Sequence, residues 1–168
     1  MTLLYLRHGQ TDWNARGLFQ GRTDIPLNET GRAQALERAS ELLEHQPPIE
    51  IIYASPMMRA KETAEIVQGV LGVPIYFDER LIERDFDSLE GTPIVAGLGE
   101  EGLARHGAEP FTALHERVKS FLDDIAARHP EQCVLAVAHG NVGRMVQYCH
   151  HGGGTVRIEN GALGRYEY

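Results

Sequence analysis

Cysteine is scarce in this chain of 168 residues: only Cys133 and Cys149, with no Cys-x-x-Cys pair. That excludes a disulfide-stapled scaffold and a thiol-clustered metal module as the organising device. Both thiols are expected to be buried and inert, and a reduced, cytoplasmic setting follows. Long apolar runs are also missing. No stretch reaches the length of a membrane span, and the start lacks the basic-then-apolar order of a signal peptide. Positive charge is outnumbered, sixteen Lys and Arg against twenty-four Asp and Glu, for a formal net charge of −8. This argues against a nucleic-acid binder held by phosphate neutralisation. A small anionic ligand stays compatible, because a few arginines in a cleft dominate the local field. There is no Gly-x4-Gly-Lys-Ser/Thr loop for a nucleotide and no Gly-x-Ser-x-Gly elbow for acyl transfer. Repeats and linkers are absent too, so residues 1–168 are expected to form one domain with a substantial core.

What is present begins with Thr2-Leu3-Leu4-Tyr5-Leu6-Arg7-His8-Gly9, an apolar run of strand length that stops at a cation, an imidazole and a glycine. Alone it reads as a surface pair at a strand end. A second run, Val134-Leu135-Ala136-Val137-Ala138, also stops at His139-Gly140-Asn141. In a chain with eight histidines, two strands that each deliver His-Gly at the carboxyl end point to a reactive edge.

Between those edges the pattern alternates. Residues 10–29 read as a functional loop rich in Gly, Asn, Asp and Thr. Thr30-Gly31 opens a helix to about Leu43, with Ala35, Leu36, Ala39, Leu42 and Leu43 inward. Residues 51–54 form a short strand, and Ser55-Pro56 read as an N-cap and first helical residue. Ala60, Thr63, Ala64, Val67 and Leu71 face inward along that helix, which Gly72 closes. Residues 74–77 form a third strand, followed by an acidic segment at 78–91 and a loop with a short helical piece at 92–110. Phe111, Leu114, Val118, Phe121, Leu122 and Ile125 mark an amphipathic helix, and another spans about 141–150. Residues 155–158 and 163–168 read as a closing hairpin around Asn160-Gly161. The alternation predicts an α/β fold, a three-layer α/β/α sandwich with a mostly parallel sheet.

Ligands of such sheets bind outside the carboxyl ends of the strands. Arg7-His8, Ser55 leading into Arg59, and His139-Gly140 would meet there, with the helices near Pro56 and Asn141 pointing their positive ends inward. Two arginines, two histidines and two helix N-termini suit a tetrahedral dianion, phosphate above all. Phosphoryl transfer then needs little beyond positioning and charge stabilisation. A neutral imidazole can attack phosphorus in line, and the leaving oxygen needs a proton. Glu83, Asp85, Asp87 and Glu90 are the carboxyls on offer, one of them held protonated among anionic neighbours.

These residues carry a family resemblance. Leu6-Arg7-His8-Gly9-Gln10-Thr11-Asp12-Trp13-Asn14, then Gln20-Gly21, 24–28 and Gly31, resemble the histidine phosphatase superfamily, also called phosphoglycerate mutase-like proteins. Ser55 through Ala64, Leu81-Ile82-Glu83 through Gly91, and Ala138-His139-Gly140-Asn141 with Arg144 are similar to its later blocks, in the expected order. The resemblance implies His8 as the phosphorylated nucleophile, surrounded by Arg7, Arg59 and His139, with Glu83 as proton donor. It implies further phosphate contacts from Asn14 and from Gly140 and Asn141 after His139, with Gln20 and Gly21 in a loop over the site. It implies no metal and no cofactor, and a small phosphorylated metabolite as partner to a monomer or homodimer, with neither nucleic acid nor membrane. Two departures stand out: Asp87 occupies a usual glycine position, and 92–110 is shorter than in the mutases and lacks their paired arginines.

Other features have plainer readings. His45, His106, His115 and His129 sit on polar faces or loops, and the adjacent His150 and His151 diverge on a helix, so a metal site is not expected. Arg144 reaches the crevice or faces solvent with equal weight, and Glu90 is expected to be structural. Rival phosphatase chemistries fail on spacing, since neither cysteine opens a Cys-x5-Arg loop. Asp85-Phe86-Asp87 follows charged Glu83-Arg84 where an Asp-x-Asp nucleophile would follow a buried strand. The expectation is a metal-independent hydrolase of small phosphomonoesters. The alternatives are a cofactor-dependent phosphoglycerate mutase and a catalytically silent phospholigand-binding protein.

Overall fold

The computed structural model describes residues 1–45 and 47–168. Its centre is a sheet ordered β3-β2-β4-β1-β5, where β1 is Thr2–Arg7, β2 Ile51–Ala54, β3 Ile75–Phe77, β4 Cys133–Ala138 and β5 Leu163–Glu167. The first four in that order run parallel, and β5 joins β1 antiparallel. Two short helices, α1 Asp12–Ala15 and α4 Glu100–Arg105, lie in connecting segments. Of the longer ones, α2 Glu29–Leu43 and α3 Met58–Leu71 cover one face, and α5 Phe111–Arg128 and α6 Gly140–His151 the other. The chain is an α/β sandwich of three layers.

Side-chain alternation divides each strand between two cores. Leu3, Tyr5, Tyr53, Val134 and Ala136 pack with Val118, Phe121 and Val142, while Leu4, Leu6, Ile52, Leu135 and Val137 pack with Ala39, Ala64 and Val67. Both faces are covered, so β1 and β4 read as unbroken apolar runs. Among the inward positions expected of α2, Ala35, Ala39 and Leu42 are buried, but Leu36 and Leu43 are exposed. The buried stripe is narrow because small residues let α2 and α3 approach closely. Leu71 at the end of α3 is only half-buried.

Two further expectations are corrected. Ser55-Pro56 does not open α3: the helix starts at Met58, with Met57 as an N-cap that makes no side-chain cap. Ser55 is fully buried, and its hydroxyl lies 2.8 Å from His139 Nε2, so the expected cap is engaged across the sheet. The closing hairpin does not form either, since β5 pairs with β1, Tyr166 opposite Leu3. Residues 155–158 use their backbone elsewhere. Val156 N–H donates to Gln147 Oε1 at 2.8 Å, and the Ile158 carbonyl accepts from Arg7 at 2.5 Å. The Asn160-Gly161 turn does form, with Ala162 N–H donating to the Glu159 carbonyl at 3.0 Å and Gly161 at φ +70°.

The loop after β1 is held against the start of α2 by backbone contact. A Cβ on Gly9 would lie 2.2 Å from the Gly31 carbonyl oxygen, and one on Gly31 would lie 2.1 Å from that of Gln10. Gly31→Ala is therefore expected to destabilise the chain by about 1–3 kcal/mol through backbone displacement. Gly69 in α3 has nothing within 4 Å of its would-be Cβ. Gly69→Ala should stabilise by roughly 0.5–1 kcal/mol. Urea unfolding of both variants checks the contrast, and equal effects would contradict it.

Candidate active site

Strand register brings the two histidines together. Arg7 pairs with Ala138 across β1 and β4, and His8 N–H donates to the Ala138 carbonyl at 2.9 Å, so His8 and His139 emerge side by side. Their ring centroids are 5.2 Å apart at an interplanar angle of 62°. From the other side of β4, Ser55 N–H donates to Val137 O at 3.0 Å, which sets β2 and the start of α3 beside them. Arg59, in the first turn of α3, is fully buried. The three edges expected from the sequence meet.

The geometry orients the rings. His8 Nδ1 lies 2.6 Å from the Gly9 carbonyl oxygen. A carbonyl only accepts, so the neutral ring carries its proton on Nδ1 and keeps its lone pair on Nε2. His139 Nε2 faces Ser55 Oγ, which takes the Met57 N–H at 3.3 Å. When the serine hydroxyl donates to His139 Nε2, the ring proton lies on Nδ1, the nitrogen without a protein partner. The Tyr5 hydroxyl donates to the His139 carbonyl at 2.6 Å from beneath.

Both rings stay neutral for the same reasons. Burial first, then the charges of Arg59 and Arg7, push His8 well below the ordinary imidazole value. Burial, Arg59, His8 and Arg7 do the same to His139. Burial lowers Arg59 to about 10 against the attraction of Glu83 and Asp24, leaving it charged at neutral pH. Arg7 is lowered by burial too, opposed by Glu83. Among the described residues, three buried side-chain nitrogen and oxygen atoms have no hydrogen-bond partner: Arg7 Nε, Arg59 Nε and His139 Nδ1. All three belong to this cluster. Unpartnered buried donors are costly and point to a ligand that accepts.

The surrounding cavity is about 280 Å³, and Arg7, His8, Asn14, Gln20, Arg59 and Glu83 form its polar end. Asn14 Oδ1 accepts from Thr11 N–H and from Asn160 Nδ2, both at 3.1 Å, so its amide nitrogen is the end left to donate. The Thr11 hydroxyl donates to Gln20 Oε1 at 2.6 Å. Gly21, at φ +53°, is wedged against Glu90, where a Cβ would lie 1.9 Å from Oε1. Its carbonyl accepts from Arg59 at 2.7 Å, and the Thr23 carbonyl does so at 3.0 Å. Gly21 thus fixes Arg59 through its own carbonyl.

Glu83 is buried, with Oε1 accepting Arg84 N–H at 2.8 Å and Oε2 accepting Asn141 N–H at 3.3 Å. The Asn141 N–H, expected for phosphate, is therefore engaged by Glu83, while Gly140 and Asn141 still line the cavity. The anionic neighbours expected around Glu83 are turned away from it. Asp85 accepts the Asp87 N–H at 2.8 Å. Glu90 accepts from Arg22, Thr23 and Phe86, and these bonds outweigh burial to hold its carboxyl below the usual range. Asp87 is exposed at φ +46°, the conformation a glycine would supply, and its side chain lies against Gly107. The charges that act between Glu83 and its surroundings are those of Arg7 and Arg59.

Several contributors had no readable signal. Arg117 of α5 donates to the carbonyls of Arg80 at 2.6 Å and Ile82 at 2.7 Å, pairs with Glu109, and so fixes the segment that carries Glu83. Leu18, Phe19, Phe86, Ile94, Val95 and Leu103 form an apolar wall. Arg144 does reach the cavity, as does Arg157. Asn160, read as a turn residue, touches the backbone of the first motif. Among the described residues no group of three or more His, Cys, Asp or Glu side chains could hold a metal ion, and no helix is long and apolar enough to cross a membrane.

Comparison with known proteins gives the family and the fold. The family model of the histidine phosphatase superfamily (branch 1) matches residues 3–161. A Bacillus subtilis (strain 168) protein named uncharacterized phosphatase PhoE is 38% identical over 141 residues, covering 80% of this chain and 69% of the relative. The metal-independent phosphoserine phosphatase of Arabidopsis thaliana is 32% identical over 158 residues, 86% of this chain and 66% of that one. The solved structure of Bacillus stearothermophilus YhfR superposes with a TM-score of 0.87 at 29% identity, covering 98% of this chain and 89% of that one.

The lowered imidazoles have a consequence for stability. Their unfolded value is about 6.5 and their folded values lie lower, so below that pH the unfolded chain binds more protons. Their contribution is complete above about pH 6.5 and is lost as pH falls toward the folded values. Each histidine should add a slope approaching about 1.4 kcal/mol per pH unit in that window. Urea unfolding between pH 7.5 and 5.5 is expected to show this slope, reduced by one histidine's share in His8→Gln. An unchanged slope in the variant would contradict the assignment.

Proposed function

Because the chain belongs to the histidine phosphatase superfamily and is a phosphoric monoester hydrolase, we propose that it works through a phosphohistidine on His8, with residues 1–168 acting as one catalytic domain. The observation that carries this reading is that three buried, unpartnered nitrogens belong to the side chains whose charge or ring acts on His8, and His8 Nε2 itself keeps a lone pair. In the first half-reaction Nε2 attacks phosphorus. The P–N bond forms, the P–O bond to the leaving group breaks, and Glu83 gives its proton to the departing oxygen. The arriving phosphoryl dianion offsets the charges of Arg7 and Arg59 beside this carboxyl, and Oε2, with the longer backbone contact, is then the oxygen that carries the proton. In the second half-reaction water attacks phosphorus, Glu83 takes a proton from it, and the P–N bond breaks to release inorganic phosphate.

Each neighbour has a part in this scheme. Arg7, Arg59 and the Asn14 amide nitrogen neutralise and orient the phosphoryl oxygens. His139 donates from Nδ1 and, being neutral, does not add a third buried cation. Gln20 and Gly21 shape the loop above, and Gly140 and Asn141 set the floor where α6 begins. Arg144 and Arg157 at the rim make this the cationic region of a chain whose net charge is −8, which draws in anionic substrates.

The substrate class is a small phosphomonoester whose leaving group lies along the apolar wall. Hydrolysis is favoured over mutase chemistry because the lining contributed by 92–110 is Ile94, Val95, Leu98 and Leu103, without the paired arginines of the mutases, which leaves only Arg144 and Arg157 from other segments to meet a substrate carboxylate. The silent-binder alternative is disfavoured because nucleophile, acid and cationic partners are all present in one cavity. Metal independence accords with the name of the Arabidopsis relative, a metal-independent phosphoserine phosphatase. A cytoplasmic setting accords with two free, unbridged cysteines, of which Cys133 is buried and Cys149 half-buried.

His8→Ala is expected to abolish turnover of p-nitrophenyl phosphate, and chelators to leave the unaltered enzyme unaffected. Turnover that persists in the variant, or that chelator removes, would overturn the reading. Glu83→Gln should slow alkyl phosphates by about 10²–10⁴-fold and nitrophenyl phosphate far less, since only poor leaving groups need the proton. Equal losses on both would remove Glu83 from the acid's role.

A further inference from the structure

We infer that Asn160 is a positioning residue for the phosphoryl-transfer site, a tether that holds the nucleophile's backbone and the Asn14 amide in one geometry. The inference rests on the phosphohistidine reading above. Asn160 lies far from the first motif in sequence, in the turn that leads into β5. Its Nδ2 lies 3.1 Å from the His8 carbonyl oxygen, 3.3 Å from the Gly9 carbonyl oxygen and 3.1 Å from Asn14 Oδ1. One amide group therefore faces three acceptors, and each belongs to a residue that places the reaction.

The Gly9 carbonyl is the one that takes the His8 Nδ1 proton. Holding it in place holds the ring's tautomer and aims Nε2. The Asn14 contact decides which way that amide points, because an oxygen held toward Asn160 leaves the nitrogen toward the phosphoryl group. The turn is itself tied down. Gly161 N–H donates to the Arg7 carbonyl at 3.1 Å and the His8 carbonyl at 3.2 Å, and Arg38 Nε donates to the Gly161 carbonyl at 3.0 Å. Asn160 is thus a rigid post. Displacement of a reacting group by about 1 Å can cost about 10²-fold in rate, so a tether that never touches substrate can still govern turnover.

The test uses the full chain, Asn160→Ala and Asn160→Asp, with p-nitrophenyl phosphate in rapid-quench measurements of acid-labile phosphoenzyme. The unaltered enzyme must first accumulate label that His8→Ala abolishes; absence of that label overturns the phosphohistidine reading and this inference with it. Given the label, both variants are expected to form it about 10- to 100-fold more slowly per folded molecule, the folded fraction being read from unfolding curves. The aspartate variant carries a signature that a merely structural turn would not. As a carboxylate it faces three acceptors, and as a carboxylic acid it donates to one of them, so its deficit should narrow on acidification while that of the alanine variant stays level. Label formation at the unaltered rate, a deficit fully explained by unfolding, or an aspartate deficit that does not narrow would each overturn the inference alone. If neither variant folds, the ¹⁵N-labelled unaltered chain decides. Its Asn160 side-chain amide resonances should shift when inorganic phosphate binds, and unmoved resonances would overturn the proposal.

Discussion

The structure depends on burying two guanidinium groups beside two imidazoles. Arg59, His139 and His8 are almost wholly removed from water, and Arg7 is half-buried with its Nε covered. Buried cations at close range repel, and the system yields where it can, at the imidazoles. The arginines hold their protons and the histidines give up theirs. Neutral His8 then keeps a lone pair, as the proposed nucleophile requires, and is not a third cation, and neutral His139 keeps one ring proton. The same crowding leaves Arg7 Nε, Arg59 Nε and His139 Nδ1 without protein partners, a condition that an oxyanion relieves.

The arginines also act as ties. Arg59 binds the Gly21 and Thr23 carbonyls, so the loop over the cavity is fastened to the guanidinium proposed to meet the phosphoryl oxygens. Arg7 binds the Ile158 carbonyl and fastens the return segment in the same way. Arg117 gathers the carbonyls that precede Glu83. Arg59 and Arg7 also line the cavity, so a ligand's charge and the loop carbonyls meet on the same guanidinium groups, while Arg117 pairs with Glu109 instead. The inference about Asn160 extends this: a neutral amide ties the last turn of the chain to the first motif.

Much of the fold was legible because both periodicities were strong. The runs at 2–7 and 133–138 are covered on both faces and read as buried strands, and Leu114, Val118, Phe121, Leu122 and Ile125 of α5 are buried as their spacing implies. The failures share a cause. Ser55 and residues 155–158 were assigned by local preference, and in each case a distant partner decided the outcome. His139 takes the serine hydroxyl that would have capped a helix, and β1 takes the strand that would have closed a hairpin. Leu36 and Leu43 had the right character but sit outside the narrow stripe that α2 buries.

For the site, the sequence by itself determined which groups are the candidates, because two strands that each stop at His-Gly mark one edge together, and the family motifs add Arg59 and Glu83. Spacing cannot say which atoms those groups point at. The tautomer of His8, the direction of the Asn14 amide, the engagement of Asn141 N–H by Glu83 and the reach of Asn160 depend on strand register and loop return. Those were decided only by the tertiary structure, since hydrogen bonds act over about 3 Å and the residues that make them here lie up to 152 positions apart.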